Sequence, residues 1–124
     1  MLCNNITNFL IASIDSCLLT RPNFETIVCG DLNRYNINSL CSSFDLVNKV
    51  TKPTRKESTL DYFLVSSNIA NSFHVKVENP IANSDHNSIL CTPTNPIKNS
   101  LCFKRFFTTF VTSMLKIRRC SQLY

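Results

Sequence analysis

Three short stretches hold polar residues of the types that hydrolytic chemistry uses. They are Asp31 and Asn33 in IVCGDLN (27–33), Asp61 in TLDYFLVS (59–66), and Asp85 and His86 in NSDHN (83–87). Each lies at or beside the end of an apolar run. Ile27, Val28 and Cys29 lead straight into Gly30, which reads as a buried strand that stops abruptly. Polar side chains just beyond the carboxyl end of a strand occupy the place where open α/β sheets bind ligands. Asp31 and Asn33, two residues apart, can point the same way, one offering a carboxylate and the other an amide N–H. Taken alone, GDLN reads as a strand followed by an Asx-type turn.

Asp61 lies in a run that is apolar on both faces, and an unpaired buried charge is expensive, so this carboxylate requires a donor. No sequence neighbour supplies one. His86 can, because a carboxylate that accepts from one imidazole N–H also fixes the state of the other nitrogen. A loop histidine with local partners would account for Ser84-Asp85-His86 by itself; the three stretches together, in this order, point to one site.

A fourth stretch, the loop Thr51 to Ser58, contains Lys52, Arg55 and Lys56, with Lys49 just before it and the single acid Glu57. It reads either as a solvated turn or as a patch that grips phosphate by charge and hydrogen bonds.

The elements that must position these residues follow from pattern. Ile6, Phe9, Leu10, Ser13, Ile14, Cys17 and Leu18 keep the spacing of an amphipathic helix that Pro22 ends. Arg21 to Glu25 lead into a strand at Thr26 to Cys29, and Asn38 to Phe44 form a short helix before a brief extended segment, Asp45 to Val50. Thr59 to Ser66 is the strongest strand, and one apolar on both faces belongs at the centre of a sheet, covered on both sides. After a turn at Asn68 to Ser72, Phe73, Val75 and Val77 alternate with His74, Lys76 and Glu78 on a half-exposed strand closed by Pro80. Ser88 to Thr92 is the last strand, and Pro93 and Pro96 end the domain. This order predicts an α/β fold with one mixed sheet and helices on one face. Phe103, Phe106, Phe107, Phe110, Val111, Met114 and Ile117 then fall on one face of a basic C-terminal helix. That helix would pack on a neighbouring domain or lie on a membrane surface.

The 124 residues, 44% of them apolar, allow one domain (1–97) and a basic amphipathic tail (98–124). No apolar run is long enough for a transmembrane helix, and the N-terminus lacks a basic region before its apolar residues, so no signal peptide is expected. Seven cysteines without a CxxC pair argue against a zinc site or a disulfide scaffold and for a reduced, intracellular protein. The net charge of +5 is uneven: residues 1–97 hold seven Lys/Arg and eight Asp/Glu, and residues 98–124 hold six and none. Global basicity is therefore no argument that the folded part binds nucleic acid.

With GDLN at 30–33, PTRKESTLDYFLVS at 53–66 and SDHNSI at 84–89, the chain resembles the endonuclease/exonuclease/phosphatase family. The likeness is to the C-terminal half of a non-LTR retrotransposon endonuclease domain and covers about residues 5–92. It implies half of a four-layer α/β sandwich and phosphodiester hydrolysis of DNA with Mg²⁺ or Mn²⁺. Carried over position by position, Asp31 would orient or deprotonate the attacking water, and Asn33 would bind a non-bridging phosphate oxygen. His86 would stabilise charge growing on the phosphate, Asp61 would set its tautomer, and Asp85 would contribute to the metal site. Lys52, Arg55 and Lys56 would hold the DNA phosphates.

The family's first half carries a metal-ligating Glu, and Glu25, Glu57 and Glu78 are wrongly placed to replace it. The resemblance therefore implies a partial domain with an exposed apolar sheet face, inactive or nearly so alone. Its partners would be DNA and the missing N-terminal half or a reverse transcriptase domain, and it would act in the nucleus if part of an active retroelement. A non-catalytic remnant binding nucleic acid or protein through its basic tail, and a phosphatase of small phosphorylated molecules, are the other two readings.

Overall fold

In the computed structural model, residues 2–94 are described, together with the backbone of 106–111 and 114–119. Helix α1 (Leu2–Thr20) stops just before Arg21-Pro22, where the proline ring disfavours helical geometry in the residue preceding it. Leu10, Ile11 and Ile14 are its core contacts, whereas Phe9 is 40% exposed. The apolar stripe is therefore turned slightly from the one the spacing predicts. Strand β1 (Ile27–Asp31) follows, then the short helix α2 (Asn38–Phe44) and strand β2 (Leu46–Asn48). Between α2 and β2 the chain turns sharply at Asp45, in left-handed backbone geometry that a short polar side chain tolerates. Strand β3 (Asp61–Ser66), a 3-10 helix (Ser67–Ser72), β4 (Phe73–Glu78) and β5 (Ser88–Pro93) complete the folded part.

The α/β class holds, and the arrangement of strands corrects the finer expectation. Strands β1, β3 and β2 form a three-stranded sheet in that order, with β3 central and antiparallel to both neighbours. The mixed sheet fails for a topological reason. Strands β1 and β2 do run in the same direction, as strands joined through a helix should, but β3 returns between them, so no two neighbours are parallel. The sheet is also not bare on one side. Strands β4 and β5 form a separate antiparallel pair, with register Val75↔Cys91 and Val77↔Ile89.

Alternation along β3 divides the core in two. Leu64, wholly buried, faces Leu32, Leu40 and Leu46, with α1 and α2 behind them. Phe63 and Val65 point the other way, against Val50, Ala70 and the inner face of the β4–β5 pair. Phe63 and Phe73 meet there in a tilted pair with ring centroids 5.8 Å apart. The exposed apolar face expected of a partial domain is thus largely covered by β4 and β5. Ile27 and Val47, the partners of Val65 on either side, remain partly exposed.

The basic C-terminal helix is also corrected. Phe106–Val111 (β6) and Met114–Arg119 (β7) pair as antiparallel strands, from Phe106↔Arg119 to Val111↔Met114. Phenylalanine, threonine and valine in FFTTFV favour extended backbone, and a helix-spaced count of apolar residues does not register that preference. The domain end at Pro96 and the start of the tail at 98 lie outside the described residues. Among the described residues, no helix is long and apolar enough to cross a membrane.

Candidate functional site

The last residue of β1 and the first residue of β3 are register partners, so Asp31 and Asp61 stand side by side at one end of the sheet. Gly30 delivers the chain to this point with φ of +142°, a backbone angle that side-chain-bearing residues rarely adopt. The Leu32 N–H donates to the Leu60 carbonyl at 2.9 Å and buries the Leu32 side chain, pinning the segment just past Asp31. The Asn33 N–H then donates to Asp31 Oδ1 at 2.9 Å, and Asn33 has φ of +53°. The Asx turn expected of GDLN is therefore present. It engages one carboxylate oxygen of Asp31 and leaves the other for further chemistry.

The loop between β4 and β5 brings in the third group. His86 Nδ1 lies 2.7 Å from Asp61 Oδ2, with both side chains about four-fifths buried. A carboxylate only accepts, so Nδ1 carries the proton and Nε2 remains outside that bond. The His86 N–H donates to Ser84 Oγ at 3.1 Å, which holds the turn. One ligand atom each from Asp31, Asp61 and His86 lie within 4.8 Å of one another, although the three residues are far apart in the chain.

The other residues singled out from the sequence distribute around this cluster. Arg55 and Asp85 form an ion pair at 2.5 Å, and Asp85 Oδ1 lies 3.9 Å from His86 Nε2. Arg55 thus has an internal carboxylate partner, and Asp85 is close to the cluster without being part of its triangle. Lys52 and Lys56 are exposed and make no ion pair among the described residues. Asn33 is exposed beside Asp31, and no bond to its side-chain amide is formed among the described residues. Glu25 hydrogen-bonds Asn68 and Glu78 pairs with Lys76, so neither glutamate joins the site.

Beside Asp61, an open cleft of about 420 Å³ runs between the two sheets. Gly30, Asp61, Asn87 and Ser88 give it a polar border, and Phe63 and Ile89 are among its apolar lining.

No family model, curated protein or solved structure matches this chain. The functional reading stands on the geometry above and on the resemblance of the three motifs.

The donor set can be tested against Mg²⁺, the cation that the resemblance implies. Mg²⁺ takes one or two carboxylates and fills its remaining positions with water and phosphate oxygens, and Asp31 and Asp61 offer that number of hard donors. The imidazole is a poor Mg²⁺ ligand, and its Nδ1 is already engaged by Asp61. The carboxylates fit; His86 fits better as a hydrogen-bonding group.

One residue of the site escapes sequence reasoning. Thr54 is wholly buried in a loop whose other members are mostly exposed. Nothing distinguishes it in PTRKES except a hydroxyl between the proline and the cations that draw attention.

Proposed function

We propose that this site hydrolyses phosphodiesters with the help of a divalent cation, DNA being the substrate class. The observation that carries the reading is the convergence of Asp31, Asp61 and His86 within 4.8 Å at one end of the sheet. Hydrolysis needs a water aligned with the leaving oxygen and donors aimed at the oxygens where charge accumulates. Asp31, held by the Asn33 N–H on one oxygen, uses the other to orient or deprotonate the water. His86, its Nδ1 proton committed to Asp61, directs Nε2 at the phosphate and donates from there when protonated. Asn33, exposed two residues after Asp31, supplies a side-chain amide to bind a non-bridging oxygen of the phosphate. Lys52 and Lys56 supply the positive charge for the neighbouring phosphates, and Arg55 serves chiefly to hold Asp85 next to His86. Asp31 and Asp61 would hold Mg²⁺ or Mn²⁺, with Asp85 nearby, and the cation would supply charge neutralisation at the phosphate.

No glutamate reaches the cluster among the described residues, so one ligand that the family resemblance requires is not supplied here. Turnover by this chain alone is accordingly expected to be near background. The test has two parts. Titration with Mn²⁺ should broaden the NMR signals of Asp31, Asp61 and His86 first, and Asp31→Ala should abolish that selectivity. Broadening centred elsewhere would defeat the assignment. Nicking of supercoiled plasmid in Mg²⁺ should be near background, and EDTA-sensitive nicking lost in Asp31→Ala would overturn the expectation of low activity while upholding the chemistry.

A further inference from the structure

Thr54 touches the backbone at two members of the cluster, Asp61 and the residue after His86. Its Oγ1 accepts two consecutive N–H groups, Leu60 at 3.0 Å and Asp61 at 3.1 Å. Its carbonyl accepts the N–H of Asn87, the residue directly after His86, at 2.6 Å. Leu60 in turn accepts the N–H of Leu32, the residue directly after Asp31. A single buried side chain and its own peptide group thus join the start of β3 to the His86 loop, and through Leu60 reach the end of β1. The Asn87 side chain reinforces the tie by donating to the Pro53 carbonyl at 3.3 Å.

We infer that Thr54 is a positioning residue that sets the spacing of Asp61 and His86, and so the tautomer of the imidazole. The inference deepens the hydrolytic reading and rests on it for its purpose, though not for its test. The Asp61–His86 hydrogen bond joins two segments that share no strand pairing, since β3 and β5 belong to different sheets. Its 2.7 Å length requires the two backbones to be held together by something other than a ladder. Thr54 bridges them, holding the start of β3 through its Oγ1 and the His86 loop through its carbonyl. Valine has threonine's shape and no acceptor, so Thr54→Val leaves the Leu60 and Asp61 N–H groups unpaired and lets the start of β3 move away from the His86 loop. Serine keeps the acceptor and lacks only the methyl group.

The experiment reads the His86 imidazole by ¹⁵N–¹H correlation spectroscopy at a pH where the ring is neutral. The wild-type chain should show the Nδ1–H tautomer with a slowly exchanging proton. Thr54→Val should lose that signal, and Thr54→Ser should retain it. A folded Thr54→Val variant that keeps the wild-type tautomer overturns the inference, as does Thr54→Ser behaving like valine. If Thr54→Val does not fold, hydrogen exchange of the wild-type chain decides. The amides of Leu60, Asp61 and Asn87 should be protected together, and an Asn87 amide exchanging at the rate of an open loop refutes the tie. None of these readouts needs turnover, so a failed hydrolase assignment and a failed positioning role are told apart.

Discussion

Gly30 shows how one residue aims a site through its backbone rather than through contacts. An added Cβ would meet nothing within 4 Å, yet φ of +142° lies in a region almost closed to L residues with side chains. Gly30→Ala should therefore destabilise the fold by strain alone, by about 1–3 kcal/mol. A lowered urea midpoint with an unchanged slope would show this; an unchanged midpoint would mean that β1 relaxes freely at this position. Asn33 and Asp45 also have positive φ, but as residue types that tolerate it. The sequence makes both kinds of position visible, because a lone glycine before Asp-Leu-Asn is strong punctuation. The role of Thr54 is hidden for the opposite reason, since a buried hydroxyl that accepts backbone N–H groups leaves no periodic or compositional mark.

Strand β3 organises the fold at the level of elements. Leu64 and Val65 are wholly buried, on opposite faces, in two separate clusters. Leu64→Ala should cost about 2–5 kcal/mol, because it opens a cavity beneath both helices. Val47→Ala, on the partly exposed neighbouring strand, should change stability by less than about 1 kcal/mol. Chemical denaturation of the two variants provides the comparison, and similar losses would contradict a core centred on β3. The central place of this strand was legible because LDYFLVS is apolar on both faces, which only a strand covered twice can be. What covers the second face was not legible. Alternation in FHVKVE marks one buried side for β4 but cannot say which sheet that side meets, and the apolar run Ile89-Leu90-Cys91 in SILCTP does not show which side of β5 is buried. Direction was equally hidden, since pairing depends on where β3 re-enters rather than on any local pattern. The tail fails differently: its apolar residues satisfy a helical count and a strand propensity at once, and the count alone gave a helix.

For the molecule as a whole, the two cores share a property that ties stability to pH. Cys41 packs beside the helix-side core, and Cys91 beside the core under β4 and β5. Desolvation pushes both thiols above their ordinary value; for Cys91 the neighbouring Cys29 adds to the rise, and Lys49 opposes it. Cys29 reaches solvent at the cleft, but the surrounding sheet desolvates it enough to push its thiol up as well. The folded chain therefore keeps protons that the unfolded chain has released. Stability from this source is complete below the unfolded thiol value of about 8.5 and declines as pH rises from there through the higher folded-state values. With a reductant present, the urea midpoint should hold up to about pH 8.5 and fall beyond it. The double variant Cys41→Ala, Cys91→Ala should start somewhat lower at neutral pH, because two half-buried side chains lose packing against the cores. Its midpoint should then decline less between about pH 8.5 and 9.5. Parallel curves for the two proteins would mean that the thiols ionise as freely in the fold as outside it, and that neither core excludes water at its cysteine.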